Sequence, residues 1–544
     1  MKAMTSSRRW LHGQRFTIPS KINALAGAIG ASLLLIALWC APLQAQFIWN
    51  GGGGDSNFST GENWDGGSAP GPANYDGLTF AGAINMSPTA DQEWSVGSII
   101  FDTDAGAFTL GGSLLNQGGG IYNNSSSLQT INNDIVIEGY QEFVASSGAL
   151  TFNGAITLAD AEYLDLRGDD TITINGVISG DGLLDPYENV TVILTAANTF
   201  TGVVELFDNS VLRINNDSAL GTSDAGTTVF AGATLQLTGG ISVSNEALTL
   251  EGEGTGNGSL ENLSGNNVWT GNVTLESGVA PSIGVTSGTL TLTGQIDENG
   301  SSSLTKVGNG TLILTGTSTY TGETSVNAGT LQLNASADLS SSSQVVVANG
   351  AILKGSGTVG AVLVSGAISP GLSPGTMPTG SQTWESGGSY VWEINQANGT
   401  QGSDPGWDLL DITGDLTINA TTGNEFTIEL TTLTLANVAG QMNNFNNGQS
   451  YTWTIAAVSG TINGFDATDF TLDASNFANA LGGGSFSISQ SGGNINLTFT
   501  PVPEPHEYAM ISALGLAAFG VWRRLRLARH SEPLMDSPKL NLCK

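Results

Sequence analysis

The 544-residue chain is predicted to be all-β, with its central part a parallel β-solenoid. Three observations carry this. Short alternating triplets recur about 20 residues apart, among them Phe108-Thr109-Leu110, Leu150-Thr151-Phe152, Ile172-Thr173-Ile174, Val192-Ile193-Leu194, Leu290-Thr291-Leu292, Leu312-Ile313-Leu314 and Leu331-Gln332-Leu333. Glycines and asparagines flank each triplet and supply the left-handed backbone a tight corner needs. No long 3.6-residue periodicity competes with this pattern. Apolar residues at i and i+2 make a strand with one buried face. Three-residue strands cannot stand alone, but piling them at a fixed period buries one continuous apolar column, with Asn and Thr ladders adding hydrogen bonds. The competing architecture with the same spacing is a set of tandem antiparallel β-sandwich domains.

Residues 1–45 have the layout of a secretory signal. Lys2, Arg8, Arg9, Arg15 and Lys21 form a basic start, Ile29 to Trp39 an apolar stretch, and Leu43-Gln44-Ala45 a small-residue exit, with the cut expected between Ala45 and Gln46.

Residues 46–105 concentrate aromatics: Phe47, Trp49, Phe58, Trp64, Tyr75, Phe80 and Trp94. The expected role is an N-terminal β cap, since an open solenoid end exposes unpaired strand edges.

Residues 106–378 carry the repeat, expected to make about 13 rungs or some 60 Å of stack. The sharpest stretch runs from Leu304-Thr305-Lys306-Val307-Gly308-Asn309-Gly310 through Tyr320-Thr321-Gly322 to Gly329-Thr330-Leu331-Gln332-Leu333. Over 304–334 it resembles the autotransporter-associated β-strand repeat. That resemblance implies a right-handed β-helix of the passenger type and an exported surface protein. A weaker copy starts at Leu194-Thr195-Ala196-Ala197-Asn198-Thr199-Phe200-Thr201-Gly202. No pattern of a twelve-strand translocator is visible, so a self-transporting autotransporter is not expected.

Residues 379–500 change texture after a Pro/Gly run and bring Trp384, Tyr390, Trp392, Trp407 and Trp453. They are expected to form a C-terminal β unit, either separate or as last rungs with a cap.

Residues 501–529 begin with Val502-Pro503-Glu504-Pro505, continue in an apolar run from Tyr508 to Trp522, and close on Arg523, Arg524, Arg526 and Arg529. The prolines keep the start extended. The apolar run is shorter than the roughly 20 residues that span a bilayer comfortably, and the arginines would hold its end cytoplasmic. This order resembles the PEP-CTERM sorting signal. The resemblance implies recognition and cleavage near Pro503-Glu504-Pro505 by an exosortase, with the helix as a transient transmembrane anchor, residues 530–544 as a cytoplasmic tail, and the product at the cell surface, the outer membrane or outside the cell.

Charge separates the tails from the body. Between residues 46 and 500 stand 43 acids against four bases, Arg167, Arg213, Lys306 and Lys354. Such a surface repels nucleic acid and anionic lipid. The same stretch holds no cysteine and no histidine: Cys40, Cys543, His12, His506 and His530 all lie outside it. Disulfides, Cys–His and Ser–His–Asp catalysis, and thiolate or imidazole zinc sites are excluded there.

Carboxylate chemistry survives that exclusion. The densest acidic stretch is Asp160, Glu162, Asp165, Asp169 and Asp170, with Arg167 among them. A solvated face is the expected reading. Calcium is the one cofactor these oxygen ligands suit, and paired-carboxylate glycan cleavage is the enzymatic alternative. A second set, Asp404, Asp408, Asp411 and Asp415, reads as loop and turn formers. Arg167-Gly168-Asp169 spells an integrin tripeptide and carries little in a chain this long. No catalytic residue is assigned. The expected function is a structural or adhesive surface or matrix protein, an exosortase substrate that contacts exopolysaccharide or other surface glycans; the alternatives are the glycan-active enzyme and a calcium-dependent adhesin.

Overall fold

The computed structural model describes residues 46–159, 163–502 and 505–528. The signal-like segment up to Ala45 lies outside the described residues, as do Asp160, Glu162, Pro503 and Glu504.

Strands of three to five residues follow one another around three faces and pair with their counterparts one coil on. The result is a parallel β-solenoid of about 14 turns. One inward column shows the register. Ile172, Val192, Leu212, Leu235, Leu260, Ile283, Lys306, Val326, Val347, Val364 and Trp384 sit opposite one another in successive coils. A second face stacks Leu290, Leu312, Leu331, Leu353, Ile368 and Tyr390 in the same way. These apolar side chains are all buried. Each coil buries little by itself; the column forms only when like layers pile up.

The sandwich alternative is overturned by the pairing. Ladders from Gln46 to Ile394 run parallel, and the antiparallel strand pairs among the described residues lie only in the last coils.

Corners explain the glycines. Gly271, Gly294 and Gly316 form one corner column, and a Cβ on Gly294 would stand 2.1 Å from the Gly271 carbonyl oxygen. At Gly176 the same atom would meet the Gly154 carbonyl oxygen at 1.7 Å. Backbones pass too closely there for any side chain. Beside Gly154 and Gly176 the amides of Asn132, Asn153 and Asn175 hydrogen-bond coil to coil at 2.8 and 2.9 Å, and Thr195 Oγ1 donates to Asn175 Oδ1 at 2.9 Å.

Both ends are aromatic. Trp49, Phe58, Trp64, Phe80, Trp94 and Phe101 are fully buried over the first coils, with Trp49 and Trp64 edge to face at 5.1 Å. The Trp64 indole N–H is satisfied by the Phe58 carbonyl at 2.8 Å. Beyond Thr379 the ladders continue without a break. Gln382–Trp384 pairs with Leu416–Ile418, and that strand with Ile462–Asn463. The C-terminal β unit is therefore the last, wider coils of the same solenoid. A hairpin, Ser485–Ser491 and Asn494–Thr500, closes it by pairing antiparallel with Tyr451–Val458.

A helix, Pro505–Ala528, follows the hairpin. Leu514, Leu516, Phe519, Val521, Trp522 and Leu525 are exposed along it. Among the described residues no helix is long and apolar enough to cross a membrane. The apolar run, on which a transient anchor is expected, meets the arginines before it reaches bilayer length.

Candidate functional site

The densest polar constellation lies on one outward face of the early coils. Strand Tyr163–Gly168 places Asp165 between Glu142 of the coil before and Asp185 of the coil after. A carboxylate column results, with neighbours one strand spacing apart. Such a column is costly unless each acid is engaged.

Tyrosines and one arginine engage it. The Tyr140 hydroxyl donates to Asp165, and the Tyr122 hydroxyl donates to Glu142 Oε1 at 2.6 Å. Arg167 pairs with Glu142, lies 3.7 Å from Glu188, and sits 5.5 Å over the Tyr187 ring. Burial and then the Glu142 carboxylate push the Tyr122 phenol up to about 12. Burial and then the Asp165 charge do the same to Tyr187. Tyr140 is raised further, by burial and by its bond to Asp165. Burial opposes the Arg167 charge, but Tyr187, Glu142 and Glu188 outweigh it and hold the guanidinium above its ordinary range. These phenols stay protonated at physiological pH, and Glu142 and Asp165 accept from Tyr122 and Tyr140.

Of the other sequence candidates, Asp160 and Glu162 lie outside the described residues, and Asp169 and Asp170 are bonded elsewhere. Asp169 accepts from the Asn189 amide at 2.8 Å, one coil on. Asp170 Oδ1 accepts the Thr171 N–H at 2.7 Å and shapes its own turn. Among the described residues no group of three or more His, Cys, Asp or Glu is placed to hold a metal ion.

The second acidic set is also dispersed. Asp404 accepts from the amides of Asn395 and Asn437, each at 2.6 Å. Asp408 is buried, accepts the Gly375 N–H at 2.8 Å and the Glu393 N–H at 2.9 Å, and is raised well above the carboxylate range by burial and then by Glu393. Asp415 is held low by the backbone N–H and hydroxyl of Thr461. These three acids tie one coil or loop to another, and Asp411 is exposed on its strand.

Sequence reasoning missed Lys306. It is fully buried in the inward column, between Ile283 and Val326. Its Nζ donates to the carbonyl oxygens of Gly308 at 2.6 Å, Gly310 and Ala328 at 2.8 Å, and Val307 at 3.3 Å. Burial pushes this ammonium down to about 8, while the carbonyls favour the charged form, so it stays charged at neutral pH. Its signal was present: Leu304 and Lys306 share the inward parity of the strand, and a Gly-Asn-Gly corner follows. The bare residue type argued for solvent.

Of the sorting residues, Val502 is exposed, Arg523, Arg524 and Arg526 lie on exposed helix, and the Arg526 guanidinium sits 5.1 Å over the Trp522 ring. Pro505 opens that helix.

Comparison with known proteins points to the coils around Lys306. Residues 304–333 match the family described as the passenger-associated-transport-repeat. The chain is 33% identical over 190 residues to an adhesin, the BmaC autotransporter of Brucella suis biovar 1 (strain 1330), across 34% of this chain and 4% of that one. It is 42% identical over 83 residues to an extracellular serine protease of Serratia marcescens, across 15% of this chain and 8% of that one. The chain thus spans less than a tenth of the length of either relative.

Proposed function

We propose that this is an exported, passenger-like surface protein whose work is geometric. A stack of alike coils holds an extended acidic face outside the cell, and affinity comes from many weak contacts along it. The carrying observation is the unbroken parallel ladder containing a passenger-type repeat at 304–333. A partial likeness to an autotransporter adhesin supports an adhesive rather than an inert role. Neutral surface glycans or exopolysaccharide are the proposed contacts, since polyanions are repelled by 43 acids against four bases.

The acidic constellation supports this reading over catalysis. Tyrosine hydroxyls and Arg167 occupy the carboxylates that an acid–base pair would need. The likeness to a serine protease covers 83 residues of a chain whose region 46–500 has no histidine.

The tail is proposed as an exosortase signal: an exposed Val502, a helix from Pro505, and arginines at its end. Mass spectrometry of both termini from fractionated cells tests the whole proposal. A surface or extracellular product starting near Gln46 and ending near Pro503 is expected. An uncut cytoplasmic chain would dismiss export and processing together. A surface product that keeps Arg523 would dismiss the sorting signal alone.

A further inference from the structure

Three strand edges face outward at the C-terminal end of the solenoid, and they are not treated alike. Ile462–Asn463 is only two residues long. Phe470–Asp473 is four residues long and is bracketed by Asp466, Asp469 and Asp473. Shortness and charge are the usual protections against edge-to-edge pairing. Ser485–Ser491 has neither. It is seven residues long, reads Ser-Phe-Ser-Ile-Ser-Gln-Ser, and has five of its residues exposed. It ends the strand order of its sheet, so among the described residues only its Asn494–Thr500 side is bonded. No charge and no proline occurs from Ala474 to Thr500.

We propose that the Ser485–Ser491 edge pairs antiparallel with the same edge of a second copy. Two-fold pairing puts residue i opposite j and j opposite i, so the strand must tolerate itself. Alternating serines with Phe486 and Ile488 do so: no like charges meet, and small side chains allow close approach. The chemistry of the molecule favours this occupant over others. A basic partner is drawn to the acidic coils rather than to this uncharged edge, and a partner strand that carries charges finds none here to pair with. This edge lets two copies of so acidic a protein meet with no carboxylate on either paired strand.

The acidic bodies still repel at longer range. Salt therefore strengthens this dimer by screening, the reverse of an ionic interface. One strand pair is a small contact, so a dissociation constant of roughly 10–100 μM is expected.

Sedimentation equilibrium of the purified exported protein tests this. The mass doubles with concentration, and more readily in high than in low sodium chloride. Ser487→Lys with Ser489→Lys weakens association at least tenfold and leaves the melting temperature unchanged; Ser487→Thr with Ser489→Thr preserves it. Hydrogen exchange provides a check that needs no variant: outward amides of 485–491 exchange more slowly as the wild-type concentration rises. A monomer at all concentrations, a dimer dissolved by salt, lysine variants that associate like the wild type, or exchange independent of concentration would each overturn the proposal.

Discussion

The Lys306 ammonium donates to the Ala328 carbonyl oxygen at 2.8 Å, from one coil to the next and from inside the apolar column. Together with the bonds to Gly308 and Gly310, it ties the corner of its own coil to that of the following one. This joint lies within the stretch that matches the passenger repeat. Lys306→Met keeps the apolar stem and removes the donor. The half-buried carbonyls of Gly308 and Ala328 then lose this donor, while that of Gly310 keeps the Thr330 N–H; the cost is about 2 kcal/mol in all. Protease cleavage and hydrogen exchange at 304–333 should both accelerate, with coils before residue 200 unaffected, because contacts in a solenoid are nearest-neighbour.

Glu246 sets a pH dependence. It is buried, accepts the Thr227 hydroxyl at 2.7 Å, and is pushed up by burial to about 7 against an ordinary 4.5. A raised folded value means that the folded chain binds the proton more tightly. Its contribution is complete below pH 4.5 and fades as pH climbs through 7. Glu246→Gln should raise stability at pH 8 by something of the order of 2 kcal/mol and leave it nearly unchanged at pH 4.5. Thermal melts of both proteins across that range check the sign; a variant less stable at pH 8 would refute it.

The corner glycines give a third prediction. Gly176→Ala drives a Cβ against the Gly154 carbonyl, which belongs to backbone and cannot rotate away. Gly350→Ala is the comparison: its φ of 82° is unfavourable for alanine, but nothing lies within 4 Å of the new atom. Gly176→Ala should cost several times the roughly 1 kcal/mol expected of strain alone at Gly350. Denaturant melts of the two variants separate close approach from backbone strain.

These same residues show what the sequence makes legible. The pairs Leu290/Leu292 and Leu312/Leu314 announce their buried faces by spacing, and all four are buried. Period and parity are local properties, so the stack follows from them. Lys306, Glu246, Glu261 and Asp408 are buried polar residues whose partners are carbonyls, hydroxyls and amides 1–33 positions away. No residue type at those positions advertises a carbonyl waiting across a corner. The acidic stretch was hard to read for the converse reason. Adjacency in sequence suggested a cluster, but the corner after Gly168 sends Asp169 and Asp170 to separate bonds. The extent of the solenoid was under-read as well, since wide coils such as Gln382 to Leu416 break the 20-residue period without breaking the ladder.

Calcium gives the last prediction. Glu142 and Asp165 already accept from Tyr122 and Tyr140, and Arg167 neutralises one charge of the column. Ligand oxygens must turn together to surround a hard cation, and Asp169 and Asp170 are committed to other corners. Millimolar calcium and EDTA should leave the melting temperature within about 1 °C of each other, since a ligand stabilises only in proportion to its affinity for the folded state. Tyr140→Phe removes one donor from Asp165 without adding bulk. If that single change makes the melting temperature rise with calcium, the tyrosine is what keeps the face closed to cations; if wild type already responds, the carboxylates are not committed as described.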